Sequence, residues 1–171
     1  MKNILATAST IFVLLVSNHA WSQSKIFLNI DGIKGESSES AHKEWIDVIS
    51  FQQGVSSSSS SVSGSGGGAG KASFQDLKIV KHIDRASPQL LLFTASGRHI
   101  TTCTLEMAVN NKFSFLITLK DISVTSVITT SQDGNSQEEV RLSFANIGFE
   151  VKENGVSFKA GWDLRANQAL P

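Results

Sequence analysis

Hydrophobic and polar residues alternate along most of the chain after position 25, which is typical of β-strands with one buried face. One such segment covers residues 26–30 and ends at Asp31-Gly32, and another covers residues 45–51. Because the second segment is apolar at odd and even positions alike, we predict a central strand packed on both faces. A third strand is predicted from Phe74 onward, with its apolar face formed by Leu77, Ile79 and Ile83.

The second half of the chain predicts two long strands, and each of them changes phase once. Alternate residues from 113 to 119 are apolar, but the pattern continues at Ile122 and Val124 in the opposite phase. This indicates a bulge or bend at Lys120-Asp121, and a similar change follows Phe144. Residues 131–136 connect the two strands, and residues 154–155 (Asn-Gly) predict a tight hairpin after the second. Long bent antiparallel strands favour a curved two-sheet β-barrel.

One short helix is predicted beside these strands. Ser87 is a good N-cap, Pro88 fits the first helical position, and Gly97 is a typical C-terminal stop. Residues 90–93 form its apolar body. We therefore expect a mainly β fold with a single flanking α-helix.

The first 22 residues have the pattern of a cleavable export signal. Lys2 supplies a positive charge, residues 4–16 are uncharged and largely apolar, and Ala20 and Ser22 satisfy the small-x-small rule for cleavage after Ser22. The apolar run has thirteen residues, whereas a membrane-spanning helix needs about 20, so no stable membrane insertion is expected after cleavage. These features predict a secreted or periplasmic protein of residues 23–171.

Residues 52–73 break the strand pattern in a different way. Six consecutive serines at 56–61 are followed by a glycine-rich stretch that ends at Gly70. This is the chemistry of a flexible linker. Since only two candidate strands precede it, we predict a flexible loop at residues 55–70 inside one domain.

Composition excludes several classes of partner. The chain of 171 residues has formal net charge zero, and 18% of its residues are charged. No basic field exists for nucleic acid, so nucleic acid is not an expected partner. The hydrophobic fraction of 40% suffices for the core of a single domain.

The sequence contains no recognisable catalytic, cofactor-binding or metal-binding constellation. Cys103 is the only cysteine, so it can form neither an internal disulfide nor a Cys-based metal site, and we interpret it as a buried apolar residue. Gly70-Lys71 does not form a phosphate-binding loop because serine stands at 65 and alanine at 72. No Gly-x-Ser-x-Gly motif occurs.

Two pairs of ionisable residues remain as candidates for chemistry. His82 and Asp84 would lie on one strand face and could bind a metal, but no third ligand is apparent. Glu138 and Glu139 are adjacent, so on a strand their side chains point to opposite faces. We predict no enzyme and no cofactor. A secreted hydrolase with dispersed catalytic residues stays open, and it would need a deep polar pocket with a perturbed acid or base.

Several short motifs occur in a defined order along the chain: Ile30-Asp31-Gly32-Ile33-Lys34-Gly35-Glu36-Ser37, His42-Lys43-Glu44-Trp45-Ile46-Asp47-Val48-Ile49-Ser50-Phe51, Gly67-Gly68-Ala69-Gly70-Lys71, Phe74-Gln75-Asp76-Leu77, Asp84-Arg85-Ala86-Ser87-Pro88-Gln89-Leu90, Ala95-Ser96-Gly97-Arg98-His99-Ile100, Leu119-Lys120-Asp121-Ile122 and Ala160-Gly161-Trp162-Asp163-Leu164-Arg165-Ala166-Asn167. Together they resemble the haemolysin-coregulated protein (Hcp) family, the tube proteins of the bacterial type VI secretion system. The resemblance covers essentially all of residues 23–171.

The resemblance implies a curved β-barrel that forms homo-hexameric rings with a wide lumen. Such rings stack into a tube that a contractile sheath expels, with a spike protein at its tip and small effectors inside. It also implies that the protein has no active site. The helix at residues 88–96 and the Ser/Gly loop are the candidate contact surfaces.

An export signal is not expected on a tube subunit, which assembles in the cytoplasm. The chain is therefore either an exported member of the fold or one whose apparent signal is not used. An alternative is a periplasmic or extracellular binding or adhesin-like module that kept the fold and lost the secretion machine.

Overall fold

The fold was analysed in a computed structural model, which describes residues 24–57, 72–110 and 113–170. The predicted export signal and most of the predicted Ser/Gly loop lie outside the described residues. The described elements are β1 (Lys25–Ile30), a 3₁₀ turn (Ser40–His42), β2 (Ile46–Gln52), β3 (Val55–Ser57), β4 (Ala72–Phe74), β5 (Leu77–His82), α1 (Ser87–Ser96), β6 (His99–Asn110), β7 (Phe113–Gln132), β8 (Asn135–Glu153), β9 (Val156–Asp163) and β10 (Gln168–Ala169).

Six strands close into an antiparallel barrel in the order β1-β2-β5-β8-β7-β6, with β6 pairing back to β1. β7 pairs with β8 along almost the whole length of both. The other edge of β8 pairs first with β5, through residues 137–142, and then with β9, through residues 146–153. One long strand thus belongs to the barrel and to a sheet extension formed with β9 and β10. The predicted mainly β barrel with one flanking helix is confirmed.

Both predicted changes of phase are present, and each follows from local backbone geometry. Residues three positions apart on a regular strand face opposite sides. Asp121 has a φ of 52°, which interrupts the regular strand, so Leu119 and Ile122 are both buried. On β8 the buried positions change phase between Leu142 and Ala145. A separate register shift lies between Val124 and Ser126, which the sequence pattern did not indicate.

The connections match the turn chemistry of the sequence. Residues 133–134 (Asp-Gly) and 154–155 (Asn-Gly) both have positive φ values, between 49° and 84°, as tight two-residue hairpins require. The turn between β7 and β8 is therefore tighter than the six-residue connection predicted. β3 and β4 pair with each other, so the predicted flexible loop starts as a short two-stranded stem.

Two predictions about strand faces are wrong. In β2, Ile46 and Val48 are buried but Ile49 is 43% exposed, so this strand is packed on one face only. Ile83 lies beyond the end of β5 and is 46% exposed. The third inward position of β5 is occupied instead by Lys81, which is completely buried.

The predicted helix is confirmed as α1, with one difference at its start. Ala86 occupies the N-cap position and Ser87 is the first helical residue, with no side-chain capping hydrogen bond. Gly97 ends the helix with a φ of 65°. Leu90 and Phe93 are buried against the barrel, whereas Leu91 and Leu92 are more than 60% exposed.

Candidate interaction surfaces and a buried ion network

Four side chains form a buried ion network between the barrel and α1: Lys81 on β5, Asp84 in the connection that follows, Ser87 in the first turn of α1, and Glu138 on β8. Lys81 Nζ lies 2.7 Å from Asp84 Oδ1 and 3.0 Å from Glu138 Oε2. It also donates to Ser87 Oγ at 3.0 Å and to the carbonyl oxygen of His82 at 2.7 Å. Ser87 Oγ donates to Glu138 Oε2 at 2.6 Å. One ammonium is therefore shared by two carboxylates and a hydroxyl.

The ion network fixes the start of α1, because a helix of ten residues is marginal without tertiary contacts. Asp84 Oδ1 accepts the backbone N–H of Ala86 at 2.9 Å, and Ser87 Oγ accepts the backbone N–H of Asp84 at 3.1 Å. Glu138 also accepts the hydroxyl of Thr129 at 3.3 Å. Every member has at least two polar partners, as a buried charge requires.

A second feature is the strap, residues 33–45, which crosses the outer surface of β1 and β6. The His42 ring stacks on Phe27 with 4.1 Å between ring centroids, and Trp45 meets His42 edge-on at 4.8 Å. His42 Nε2 lies 3.0 Å from Glu106 Oε2. The strap therefore buries Phe27, which points away from the barrel interior.

Gly35 is required where the strap turns back on itself. A Cβ atom at this position would lie 2.2 Å from the carbonyl oxygen of Trp45, a backbone atom that has no freedom to rotate away. The N–H of Gly35 donates to the carbonyl of Glu44 at 2.8 Å, and Arg85 donates to the carbonyl of Gly35.

A third feature is the apolar row, which we define as five cross-strand neighbours on β1, β6, β7, β8 and β9: Ile26, Met107, Phe115, Val151 and Phe158. Ile26 and Phe115 pack against the core, and Phe115 stacks with Phe51 and Phe149 at 6.4 and 6.1 Å. The other end is open, since Phe158 is 61% exposed. Val156, two residues earlier on β9, is 54% exposed.

The edge of β9 beside this open end carries no partner strand within the described part of the chain. β10 pairs only with Trp162 and Asp163, so residues 156–160 present their outer backbone groups to solvent. An apolar surface next to a free strand edge is a typical docking site for another polypeptide segment.

An exposed ion cluster lies where β7 bends. Asp121 contacts His99 Nδ1 at 3.1 Å and forms an ion pair with Arg165. The hydrogen bond from His99, together with Arg165, holds the pKa of Asp121 below its usual value. Asp121 also lines an open cleft with residues 99–102 and Lys120.

Asp121 does not have the property that a general acid in this cleft would need. A general acid at neutral pH requires a raised carboxyl pKa, and Asp121 is shifted in the opposite direction. Burial raises the pKa of the Cys103 thiol to about 12, which suppresses the nucleophilic thiolate. Cys103 is fully buried in the core, as predicted.

The structure separates the ionisable pairs that the sequence placed together. The Asp84 carboxylate pairs with Lys81 rather than with His82, whose side chain is exposed. Glu138 points into the ion network, while Glu139 lies on the other face near Lys78. Within the described ranges no three His, Cys, Asp or Glu side chains cluster as a metal site would require.

Neither the ion network nor the apolar row was predicted from the sequence as a unit. The available signal for the ion network was a lysine among the inward-facing positions of β5. The available signal for the apolar row was the set of three aromatic or aliphatic residues at the ends of β7, β8 and β9. None of the described helices is long and apolar enough to cross a membrane.

Solved type VI secretion proteins have this fold. Hcp1 from Salmonella typhimurium superposes with a TM-score of 0.73 at 37% identity, over 86% of this chain and 99% of that chain. A type VI secretion system effector from Yersinia pestis superposes with a TM-score of 0.67 at 28% identity, over 81% of this chain and 98% of that chain.

The sequence comparisons agree with the fold. The family model described as "Type VI secretion system effector, Hcp" matches residues 27–151. Protein hcp1 of Pseudomonas aeruginosa is 37% identical over 155 residues, which are 83% of this chain and 96% of that protein. The chain belongs to the Hcp family of type VI secretion proteins, as its motifs predicted.

Proposed function

We propose that this protein is a non-enzymatic subunit that closes into a homo-hexameric ring and serves type VI secretion. Family membership supports the secretion role. The observation that carries the ring is the open end of the apolar row beside the free edge of β9. The comparisons do not favour the alternative of a module detached from the secretion machine.

The ring follows from the geometry of a one-sided contact. The open end of the apolar row lies at one edge of the subunit, so a copy that covers it presents its own open end to the next copy. Such a heterologous contact forms a ring when the rotation closes, and in this proposal six copies close it. Stacked rings would form the tube, with small effectors in the lumen and the sheath and spike proteins as further partners.

Burial of Phe158 supplies part of the contact energy. Full burial of an apolar side chain contributes about 1.5–3 kcal/mol, and Phe158 has 61% of its surface still to bury. Each ring would repeat this contact at every interface, so a modest loss per contact should disrupt the closed assembly.

The experiment is a native mass measurement of residues 23–171 by light scattering, combined with electron microscopy. We expect a particle of six subunits for the unmodified protein and a monomer for Phe158→Asp. Ile128→Asp is the matched control, because Ile128 is 52% exposed on β7 and lies outside the apolar row. A monomer at micromolar concentration and low salt for the unmodified protein would overturn the ring.

The export signal belongs to a separate proposal: this chain is an exported member of the fold, with its signal removed after Ser22, whereas a subunit that enters the sheath assembles in the cytoplasm and keeps its N-terminus. N-terminal sequencing of protein recovered outside the cell should therefore begin at Gln23. Recovery of chains that begin at Met1 or Lys2 would contradict cleavage.

A further inference from the structure

A groove of about 380 Å³ lies between α1 and the start of β6, and we call it the α1 groove. It is lined by Gln89, Leu92 and Phe93 of α1, by residues 98–101, and by the turn at residues 31–32. Clefts that hold small ligands measure about 300–1,000 Å³, so the α1 groove has room for a short peptide segment. None of its lining residues belongs to the apolar row or to the ion network.

One wall of the α1 groove is a free strand edge. β1 pairs with β6 only as far as Cys103, and the N–H of Asp31 adds one hydrogen bond to the carbonyl of Thr102 at 3.0 Å. β7 pairs with the other edge of β6 here, so no strand within the described ranges covers residues 99–101 on the groove side. Three residues of free edge are about 10 Å long and can accept an extended peptide through main-chain hydrogen bonds.

A guanidinium without a counter-ion lies beside this edge. Arg98 Cζ lies 4.8 Å from the centroid of the Phe93 ring, and in the described part of the chain its side chain has no hydrogen-bond acceptor. Stacking on a ring face leaves the N–H donors at the edge of the guanidinium free, and their geometry matches a carboxylate. Asp31 is the one acidic residue among those that line the groove, so a ligand carboxylate should lie beside Arg98 and away from Asp31.

α1 supplies an apolar contact to the same groove. Leu92 is 62% exposed and lines the groove, whereas Leu91 is 61% exposed and does not line it. α1 contains no charged residue, and a helix that is apolar on all sides is normally covered on all of them. An apolar side chain of a bound peptide would cover Leu92.

We propose that the α1 groove binds an extended peptide segment in which a carboxylate stands next to an apolar side chain. The segment adds a short strand to residues 99–101, its carboxylate pairs with Arg98, and its apolar side chain packs on Leu92. A chain terminus and a glutamate side chain present the same two oxygens, so either can supply the carboxylate. The inference goes beyond the proposed ring and does not depend on it.

Isothermal titration calorimetry of the full chain with three acetylated peptides tests the ligand chemistry. The probes are Gly-Thr-Val-Thr-Leu with a free C-terminal carboxylate, the same peptide with a C-terminal amide, and amidated Gly-Thr-Val-Glu-Leu. We expect at least one carboxylate peptide to bind about 10-fold more tightly than the peptide that has none. Binding of the first alone identifies a chain terminus, and binding of the third alone identifies a glutamate side chain. Equal affinity for all three, or binding of none, overturns the inference.

Four variants test the position of the site, each checked for folding by circular dichroism. Arg98→Gln should weaken binding of the carboxylate peptide about 10-fold, whereas Asp31→Asn should leave it at least as tight. Leu92→Asp should also weaken binding about 10-fold, and Leu91→Asp is the matched control on the same helix that should not. Unchanged affinity in Arg98→Gln or in Leu92→Asp contradicts the proposed site.

N-methylated peptides test the addition of a strand. Alternate N–H groups of an extended strand point to the same edge, so methylation of one of two adjacent peptide nitrogens should abolish binding and methylation of the other should be tolerated. Tolerance of both, or loss with both, contradicts strand addition. Phe158→Asp should bind the peptide like the unmodified protein, so this result stands whether or not the ring forms.

Discussion

Lys81→Met tests the ion network most directly. It removes the ammonium and leaves the carboxylates of Asp84 and Glu138 buried without a counter-charge. Lys81 has no exposed surface, and the side chains of its two partners are 6% and 5% exposed, so solvent cannot replace it. Removing one partner of a buried ion pair costs about 3–5 kcal/mol. For a domain of this size the melting temperature should fall by roughly 10 °C.

The double variant Lys81→Met, Glu138→Gln separates the charge from the packing. Glutamine keeps the shape of Glu138 without its charge, and Asp84 still accepts the N–H of Ala86 at 2.9 Å. We therefore expect the double variant to be more stable than Lys81→Met alone. Urea unfolding at one fixed protein concentration, followed by tryptophan fluorescence, gives each free energy of unfolding.

Lys78→Met is the matched control on the same pair of strands. Lys78 Nζ lies 3.3 Å from Glu139 Oε2, and the two side chains are 30% and 27% exposed. Its loss should cost less than about 1 kcal/mol, since partly exposed pairs contribute little. A loss for Lys81→Met no larger than that of Lys78→Met would refute the argument that the network holds buried charge.

Three further substitutions or deletions have defined outcomes. Gly35→Ala should lower the free energy of unfolding by about 3 kcal/mol, because its Cβ would meet the carbonyl of Trp45 at 2.2 Å; thermal unfolding checks this, and an unchanged melting temperature would contradict it. Because the pKa of Asp121 is lowered in the folded state, the native protein binds fewer protons there, and this stability is lost as pH falls below about 4. Asparagine tolerates the φ of 52°, so Asp121→Asn should fold, and it should make the free energy of unfolding depend less steeply on pH between pH 3 and 6. An unchanged dependence on pH would contradict this prediction. Deletion of residues 58–64, which halves the connection between Ser57 and Ala72 and leaves the β3–β4 stem, should change the free energy of unfolding by only about 0.6 kcal/mol; if rings stack, micrographs should then show single rings, and intact tubes would show that the loop is only a connection.

The sequence predicted those parts of the fold that depend on local pattern. The bend at Asp121 was predictable because a change of hydrophobic phase is visible within six residues. The end of α1 at Gly97 was predictable for the same reason, since a positive φ after a helix favours glycine. Residues 133–134 and 154–155 carried turn chemistry that matches their φ values.

The ion network was not predictable, because its partners are far apart in sequence. Lys81 and Glu138 are separated by 57 positions, and hydrophobic periodicity carries no information about which strands become neighbours. Hydrophobic periodicity gives no role to Lys81 at the third inward position of β5, and it placed Ile83 on the buried face although Ile83 is exposed.

The apolar row escaped prediction for a related reason. Each of its members fits the alternation of its own strand, so the pattern classifies all of them as core. Only the pairing of β9 with the far end of β8 shows that the row continues past the barrel and ends in solvent at Phe158. Exposure is a property of the assembled sheet and cannot be obtained from one strand.

β8 carries both features, since Glu138 lies in its first half and Val151 in its second. Thirteen residues separate them, roughly 40 Å of strand at about 3.3 Å per residue, with the bend near Ala145 between them. The hydrogen bonds and ion pairs of the network join none of the five residues of the apolar row, so the two should act independently. Phe158→Asp should change the stability of the monomer little, because Phe158 is already 61% exposed, and Lys81→Met in that monomeric background should cost the same free energy of unfolding to within about 0.5 kcal/mol. A larger difference between the two losses of free energy, measured by urea unfolding, would mean that the ion network and the apolar row are coupled through β8.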